Sequence, residues 1–288
     1  MAANAGCEKP SVQVRASIAA IVILCAALFY VGPARAQNAP SAAEASGKPG
    51  HASQTTGKVP APMTEQHALD LLKRMSTTLS GARAFTYRSR STVEIPAKTG
   101  QFVTLFAQSE VALERPNKLS VRVTGEVPNF DFYYDGKTFE AYSQNNHVYS
   151  MDSAPDNIDG MLKVIEEKTG IHFPSADVMF SDPYAMLSKK LVSAFVVGPA
   201  TVDGQACEHL AFISRGVNWE IWIDSGERAL PRRLAVTYTD VQNLPRFLVE
   251  FSDWNLQPSL SDADFAFKPP VDAKQVPFSS RTSPLPQK

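Results

Sequence analysis

The chain has 288 residues, 44% apolar and 20% charged, with a net charge of −1. That is the composition of an ordinary globular protein of one or two domains. It excludes a strongly basic nucleic-acid binder, and no bulk field draws the chain to anionic lipid.

The N-terminus reads as a targeting segment. Lys9 and Arg15 precede an uncharged apolar run from Ala16 to Tyr30. This run is shorter than the roughly 20 residues that a membrane span needs. Gly32-Pro33 breaks it, and Ala34-Arg35-Ala36 stands before Gln37 in the manner of a cleavage site. Residues 1–36 are therefore expected to be a signal peptide, cleaved after Ala36, that exports the protein to the periplasm. A lipid-modified Cys25 is disfavoured by the bulky Leu24 before it. Cleavage removes Lys9, Arg15, Arg35 and Glu8 from 28 basic and 29 acidic residues, which leaves 25 and 28, a net charge of −3. Cys7 and Cys25 leave as well, so Cys207 has no partner for an internal disulfide and is expected to be a buried apolar residue.

Residues 37–62 are rich in Ala, Ser, Gly, Pro and Thr without apolar period, and are expected to be a disordered spacer. One domain is expected over 63–278 and a disordered tail over 279–288. Ala68, Leu71, Leu72, Met75 and Leu79 share a helical face over 64–79, with Gly81 at the C-cap position. The period then becomes two. Val103, Leu105, Ala107, Val111 and Leu113 form one strand face, followed by Leu119, Val121 and Val123, and by Phe130, Phe132 and Tyr134. Asp135-Gly136 predicts a hairpin turn before Thr138–Tyr142, and Asn145-Asn146 another before His147–Met151. Apolar stripes predict helices over 156–168 (Ile158, Met161, Leu162, Ile165) and 183–191 (Tyr184, Met186, Leu187, Leu191). Strands resume over 195–202, 206–214, 217–224, 232–239 and 247–254, with Trp219, Ile221 and Ile223 on one face.

So many strands joined by tight turns, each with one apolar face, predict a mainly antiparallel β fold with helices. The sheet should curl into an open half-barrel whose apolar face the helices cover.

Catalytic patterns are sparse. His51, His67, His147, His172 and His209 have no metal-ligand spacing, and no nucleophile motif or phosphate-binding loop occurs. Pro155, Asn157, Asp159, Gly160 and Glu166 approach a calcium-loop spacing, but Pro155 offers no side-chain oxygen, so Asp156 or Asn157 is expected to cap a helix instead. No enzyme activity, cofactor or metal is expected.

Glu114-Arg115-Pro116-Asn117-Lys118-Leu119, followed by Tyr134-Asp135-Gly136-Lys137-Thr138-Phe139 and Tyr142, resembles the periplasmic lipoprotein-carrier family (LolA/LolB-like). Asp264-Phe265-Ala266-Phe267-Lys268-Pro269-Pro270 is similar to that family's closing strand. The nearest relatives implied are an uncharacterised exported branch, a domain of unknown function. The resemblance implies an open barrel whose cavity accepts acyl chains. Val103, Leu105, Leu113, Val121, Val123, Phe130, Phe132, Tyr134, Trp219, Ile221, Ile223 and Tyr238 are the candidate wall. Met161, Met186 and Leu187 are candidates on the covering helices. Arg115 matches the residue that latches the helical lid. The expected function is non-catalytic binding of a lipid, acylated protein or other hydrophobic ligand. The alternative is an envelope interaction or stress-sensing scaffold with a filled core and a protein partner.

Overall fold

The computed structural model describes residues 63–97, 99–126, 129–169 and 173–278. The expected signal peptide, spacer and tail lie outside these residues.

Helix α1 (Gln66–Gly81) forms where the helical spacing predicts it, and Ala68, Leu71, Leu72, Met75 and Leu79 are all buried. Gly81 is its last residue, not a left-handed cap. The chain turns out at Ala82, whose backbone is extended (φ −77°, ψ 121°).

Twelve strands make one open sheet. The first meander is β1 (Ala84–Pro96), β2 (Phe102–Glu114), β3 (Lys118–Gly125), β4 (Phe130–Tyr134), β5 (Thr138–Ser143) and β6 (Val148–Ser153). The second is β7 (Leu191–Val202), β8 (Gln205–Ser214), β9 (Val217–Asp224), β10 (Pro231–Tyr238) and β11 (Arg246–Asn255). The order β12-β6-β5-β4-β3-β2-β1-β11-β10-β9-β8-β7 joins the two meanders along an antiparallel β1–β11 seam. The short β12 (Lys274–Gln275) adds a parallel pair, on β6. The predicted class is therefore the observed one, an open half-barrel of antiparallel strands with helices on its apolar face.

Register carries one set of side chains to the inner face. Leu113 pairs with Phe85 and Leu119, and Leu119 with Tyr134. Across the seam, Leu234 pairs with Val249 and Ile221. These residues join the α1 stripe in one core. The outer face carries ion pairs between neighbouring strands, such as Arg88–Glu110 (3.3 Å) and Arg122–Asp131 (3.1 Å). The Arg88–Glu110 pair is exposed on both sides and contributes little stability.

Between the meanders lie α2 (Ile158–Thr169), a 3₁₀ turn (Pro174–Met179) and α3 (Pro183–Ser188). Helix α3 is shorter than predicted because Leu191 already belongs to β7.

The structure departs from the sequence reading at two further places. Strand β1 was not anticipated, because Ser89 and Ser91 occupy inner positions and break its apolar alternation. The Phe265–Pro270 motif is not a closing strand, since Pro269 and Pro270 have no N–H to donate to a ladder. Instead Phe265 is fully buried, and the Phe267 ring lies 5.2–5.9 Å from the rings of Tyr133, Tyr142 and Tyr149.

The Arg-Pro-Asn and Asp-Gly-Lys motifs meet in space. Gly136 adopts φ +93°, and a Cβ there would come within 2.3 Å of Asn117 Nδ2. Asp135 accepts the N–H groups of Lys137 and Thr138 in the same turn (2.8 and 2.9 Å). Gly136→Ala is expected to destabilise the protein by about 1–3 kcal/mol, from positive-φ strain and displacement of Asn117. Urea unfolding checks this; a midpoint equal to that of the wild type refutes it.

Candidate functional site

Arg115 stands in the β2–β3 turn, and its guanidinium reaches three carbonyls outside the sheet. Nη1 donates to Met179 O (3.2 Å), and Nη2 to Phe180 O (2.9 Å) and Leu79 O (3.4 Å). Leu79 lies in the last turn of α1, where carbonyls lack helical partners and the helix dipole favours a cation. Met179 ends the 3₁₀ turn. The acceptors thus stand on α1 and on the turn between α2 and α3, not on α2 or α3 themselves. Burial lowers the Arg115 pKa and the nearby Asp159 carboxylate raises it. A guanidinium stays charged within such limits.

The segment Met179–Tyr184 is tied from three sides. Asp159 of α2 accepts from Ser181 N (2.8 Å) and Ser181 Oγ (2.6 Å). Asp182 caps α3 by accepting from Ala185 N (3.0 Å). Ser76 of α1 donates to Asp182 (3.3 Å) and accepts from Tyr184 N (3.0 Å). The same β2–β3 turn holds the start of α2, because Pro116 O accepts from Ile158 N (2.9 Å). Asn157 Oδ1 accepts from Gly160 N (2.8 Å), which makes Asn157 the cap of α2. Asn157 and Asp159 are therefore engaged away from any calcium-loop arrangement. Ser76, Ser181 and Asp182 were not singled out from the sequence; Asp182 directly before Pro183 is a helix-start signal that marks the cap, whereas Ser76 and Ser181 give none.

The candidate wall divides by depth. Leu113, Tyr134, Ile221, Ile223 and Met161 are almost wholly buried, and Val123 and Trp219 nearly so. Val121, Phe132, Tyr238 and Leu187 are half-buried against the same core. Val103, Leu105 and Met186 are half-buried as well, and Phe130 packs with Val148 and Val276 in a separate cluster. Val93 pairs with Leu105 on one side and Phe247 on the other, all half-buried. With Val103 and Tyr238 these residues carry the apolar inner face past its deeply buried part.

Reactive groups outside this region are accounted for locally. Cys207 is 1% exposed, and burial raises its thiol pKa. Its Sγ donates weakly to Gln205 O (3.4 Å). Cys207→Ser is expected to cost about 1–3 kcal/mol, because a hydroxyl replaces a buried thiol. Native Cys207 should also resist thiol reagents, and labelling at the rate of the unfolded chain refutes that. His209 stacks on Trp222 with ring centroids 4.0 Å apart, and its Nε2 lies 2.9 Å from Glu220 Oε2. That pair sits on the outer face, so Trp222 is no part of the wall. His147 Nδ1 lies 3.1 Å from Asp272. His51 and His172 lie outside the described residues. Among the described residues no three His, Cys, Asp or Glu side chains gather as metal ligands.

A model of the family described as "Predicted periplasmic protein (DUF2092)" matches residues 68–279. A comparison with curated proteins finds no match. Among solved structures, the chain is similar to an uncharacterised conserved protein from Thermus thermophilus, with 13% identity, 74% of this chain and 99% of that one covered, and a TM-score of 0.43. It is similar to the Mycobacterium tuberculosis lipoprotein LppX, with 11% identity, 69% and 100% covered, and a TM-score of 0.43. It is also similar to a LolA superfamily protein from Nitrosomonas europaea, with 9% identity, 69% and 97% covered, and a TM-score of 0.35.

Proposed function

Since the chain belongs to the DUF2092 family of predicted periplasmic proteins, we propose that it is a non-catalytic periplasmic protein, mature from Gln37, that binds a hydrophobic ligand on the inner face of its half-barrel. The ligand is a lipid, an acylated protein or another molecule with an apolar chain. One observation carries this reading. The apolar inner face continues past the deeply buried core through Val93, Val103, Leu105, Tyr238 and Phe247, which remain partly exposed. An acyl chain laid along it gains about 0.8 kcal/mol for each CH₂ removed from water. A few turns of chain then bind without any charged anchor.

The cover supplies the gate. Arg115 binds the sheet to α1 and to the turn between α2 and α3. Breaking these contacts loosens the segment that leads into α3, in which Pro183 alone is fully buried. Opening admits the chain, and closing excludes water. Release then goes to an envelope partner.

Mass spectrometry of lipids that co-purify with the mature protein tests this. So does titration of the delipidated protein with cis-parinaric acid. The expected result is a co-purified acyl lipid and saturable probe fluorescence. No lipid and no saturable binding overturn the reading.

A further inference from the structure

Strand β1 holds a polar group that the cover and clasp do not use. Tyr87 is 2% exposed, yet its hydroxyl has no hydrogen-bond partner among the described residues. Its ring lies 4.5 Å from that of Trp254 and 5.5 Å from that of Phe251. The surroundings are apolar, and burial raises the phenol's pKa, so the group is a protonated donor. A buried hydroxyl without an acceptor is costly, because it has given up its water and gained nothing in return. Such groups are rare in folded proteins and call for a partner.

The floor beside Tyr87 is low. Ser89 follows it on the same face and pairs with Ser109, while Ser91 pairs with Ala107. Longer side chains frame these four: Phe251 and Val249 across the seam, Val111 and Val123 on the other side. By side-chain length, four adjacent short residues inside a frame of long ones make a depression in the inner face; Ser89 and Ala107 there are buried, and Ser91 and Ser109 half-buried. Tyr87 stands at its edge.

Building on the hydrophobic-ligand reading, we propose that this depression seats the polar end of the bound ligand and that the Tyr87 hydroxyl donates to it. The ligand class is then an apolar chain that carries an acceptor oxygen, a carboxylate or an ester carbonyl. A pure hydrocarbon gives the hydroxyl no acceptor. The chain runs from the depression toward Val93, Leu105 and Phe247.

Tyr87→Phe removes one oxygen and keeps the ring. The test measures three probes on delipidated wild type and variant: cis-parinaric acid, its methyl ester, and diphenylhexatriene, which has no oxygen. The expected result is a roughly 10-fold weaker affinity for the acid, the ester or both, the equivalent of about one neutral hydrogen bond. Diphenylhexatriene affinity should not change. Loss for the acid alone assigns a carboxylate, and loss for both assigns a carbonyl. The delipidated variant should melt at or above the wild-type temperature, since an unpaired hydroxyl has gone. Equal loss for all three probes, no loss for any, or a lower melting temperature of the delipidated variant each overturns the inference. In those cases the wild type still binds and the ligand reading stands. Wild type that binds none of the probes removes both.

Discussion

Arg115→Leu is expected to lower stability by about 2–4 kcal/mol and to speed amide exchange across residues 158–188. The guanidinium satisfies three carbonyls from two covering segments. A hydrogen bond to a charged group contributes about 1.5–3 kcal/mol. Three of them do not sum fully, because Arg115 is only partly buried and water reaches some of the freed carbonyls. Leucine fills part of the volume and donates none of the bonds. Its loss should act on the cover more than on the sheet, since Ser181 and Asp182 lie in the segment that the clasp holds. Arg115→Lys should fall between wild type and Leu, because one ammonium does not reproduce the planar fork. Denaturant melts and exchange of 158–188 against β8 and β9 check this. Unchanged exchange in the cover removes the clasp role.

Leu72→Ala is expected to cost about 2–5 kcal/mol and to weaken the whole domain together. Leu72 is fully buried in α1, among Leu71, Met75 and Leu79. Truncation there loses transfer free energy and leaves a cavity that neighbours fill only in part. In a domain of this size each kcal/mol lowers the melting temperature by about 2–4 °C. Met186→Ala in α3 is the contrast. Met186 is half-buried and exchanges packing with solvent, so about 1 kcal/mol or less is expected. Calorimetry of both variants tells them apart. Equal losses mean that α3 is as integral to the core as α1.

The strand ladder and α1 were legible because their apolar residues recur at fixed periods. The turn at Asp135-Gly136 was legible for a different reason: its glycine adopts a positive φ of 93°. Strand β1 was not legible. Its inner face reads Phe85, Tyr87, Ser89, Ser91, and two serines in the middle erase the alternation. With β1 went Tyr87 and the depression beside it. Arg115 was found through its neighbours Pro116 and Asn117, but its acceptors were not. Backbone carbonyls have no sequence identity, and only the folded chain places Leu79, Met179 and Phe180 around one guanidinium. The depth of each wall residue was equally invisible, because Leu113 and Leu105 carry the same side chain on the same face, one wholly buried and one half-exposed.

The β1–β11 seam sets the order in which the chain assembles. Val93 must pair with Phe247, and Ser89 with Phe251. The partner strand is among the last to be synthesised, while β1 is the first. Folding that depends on such distant pairings is slow, and domains begin to fold from their N-terminal end. Until β11 arrives, the first meander presents β1 as a bare edge, the kind of surface that recruits other chains. The polar make-up of β1 protects it through that interval. Arg88, Arg90 and Glu94 point to one side, and Ser89 and Ser91 to the other. A growing aggregate gains little by adding to the middle of this strand, where charged residues alternate with serines. Apolar substitutions at Ser89 and Ser91 would therefore act first on the yield of soluble protein during synthesis, before any effect on the finished fold.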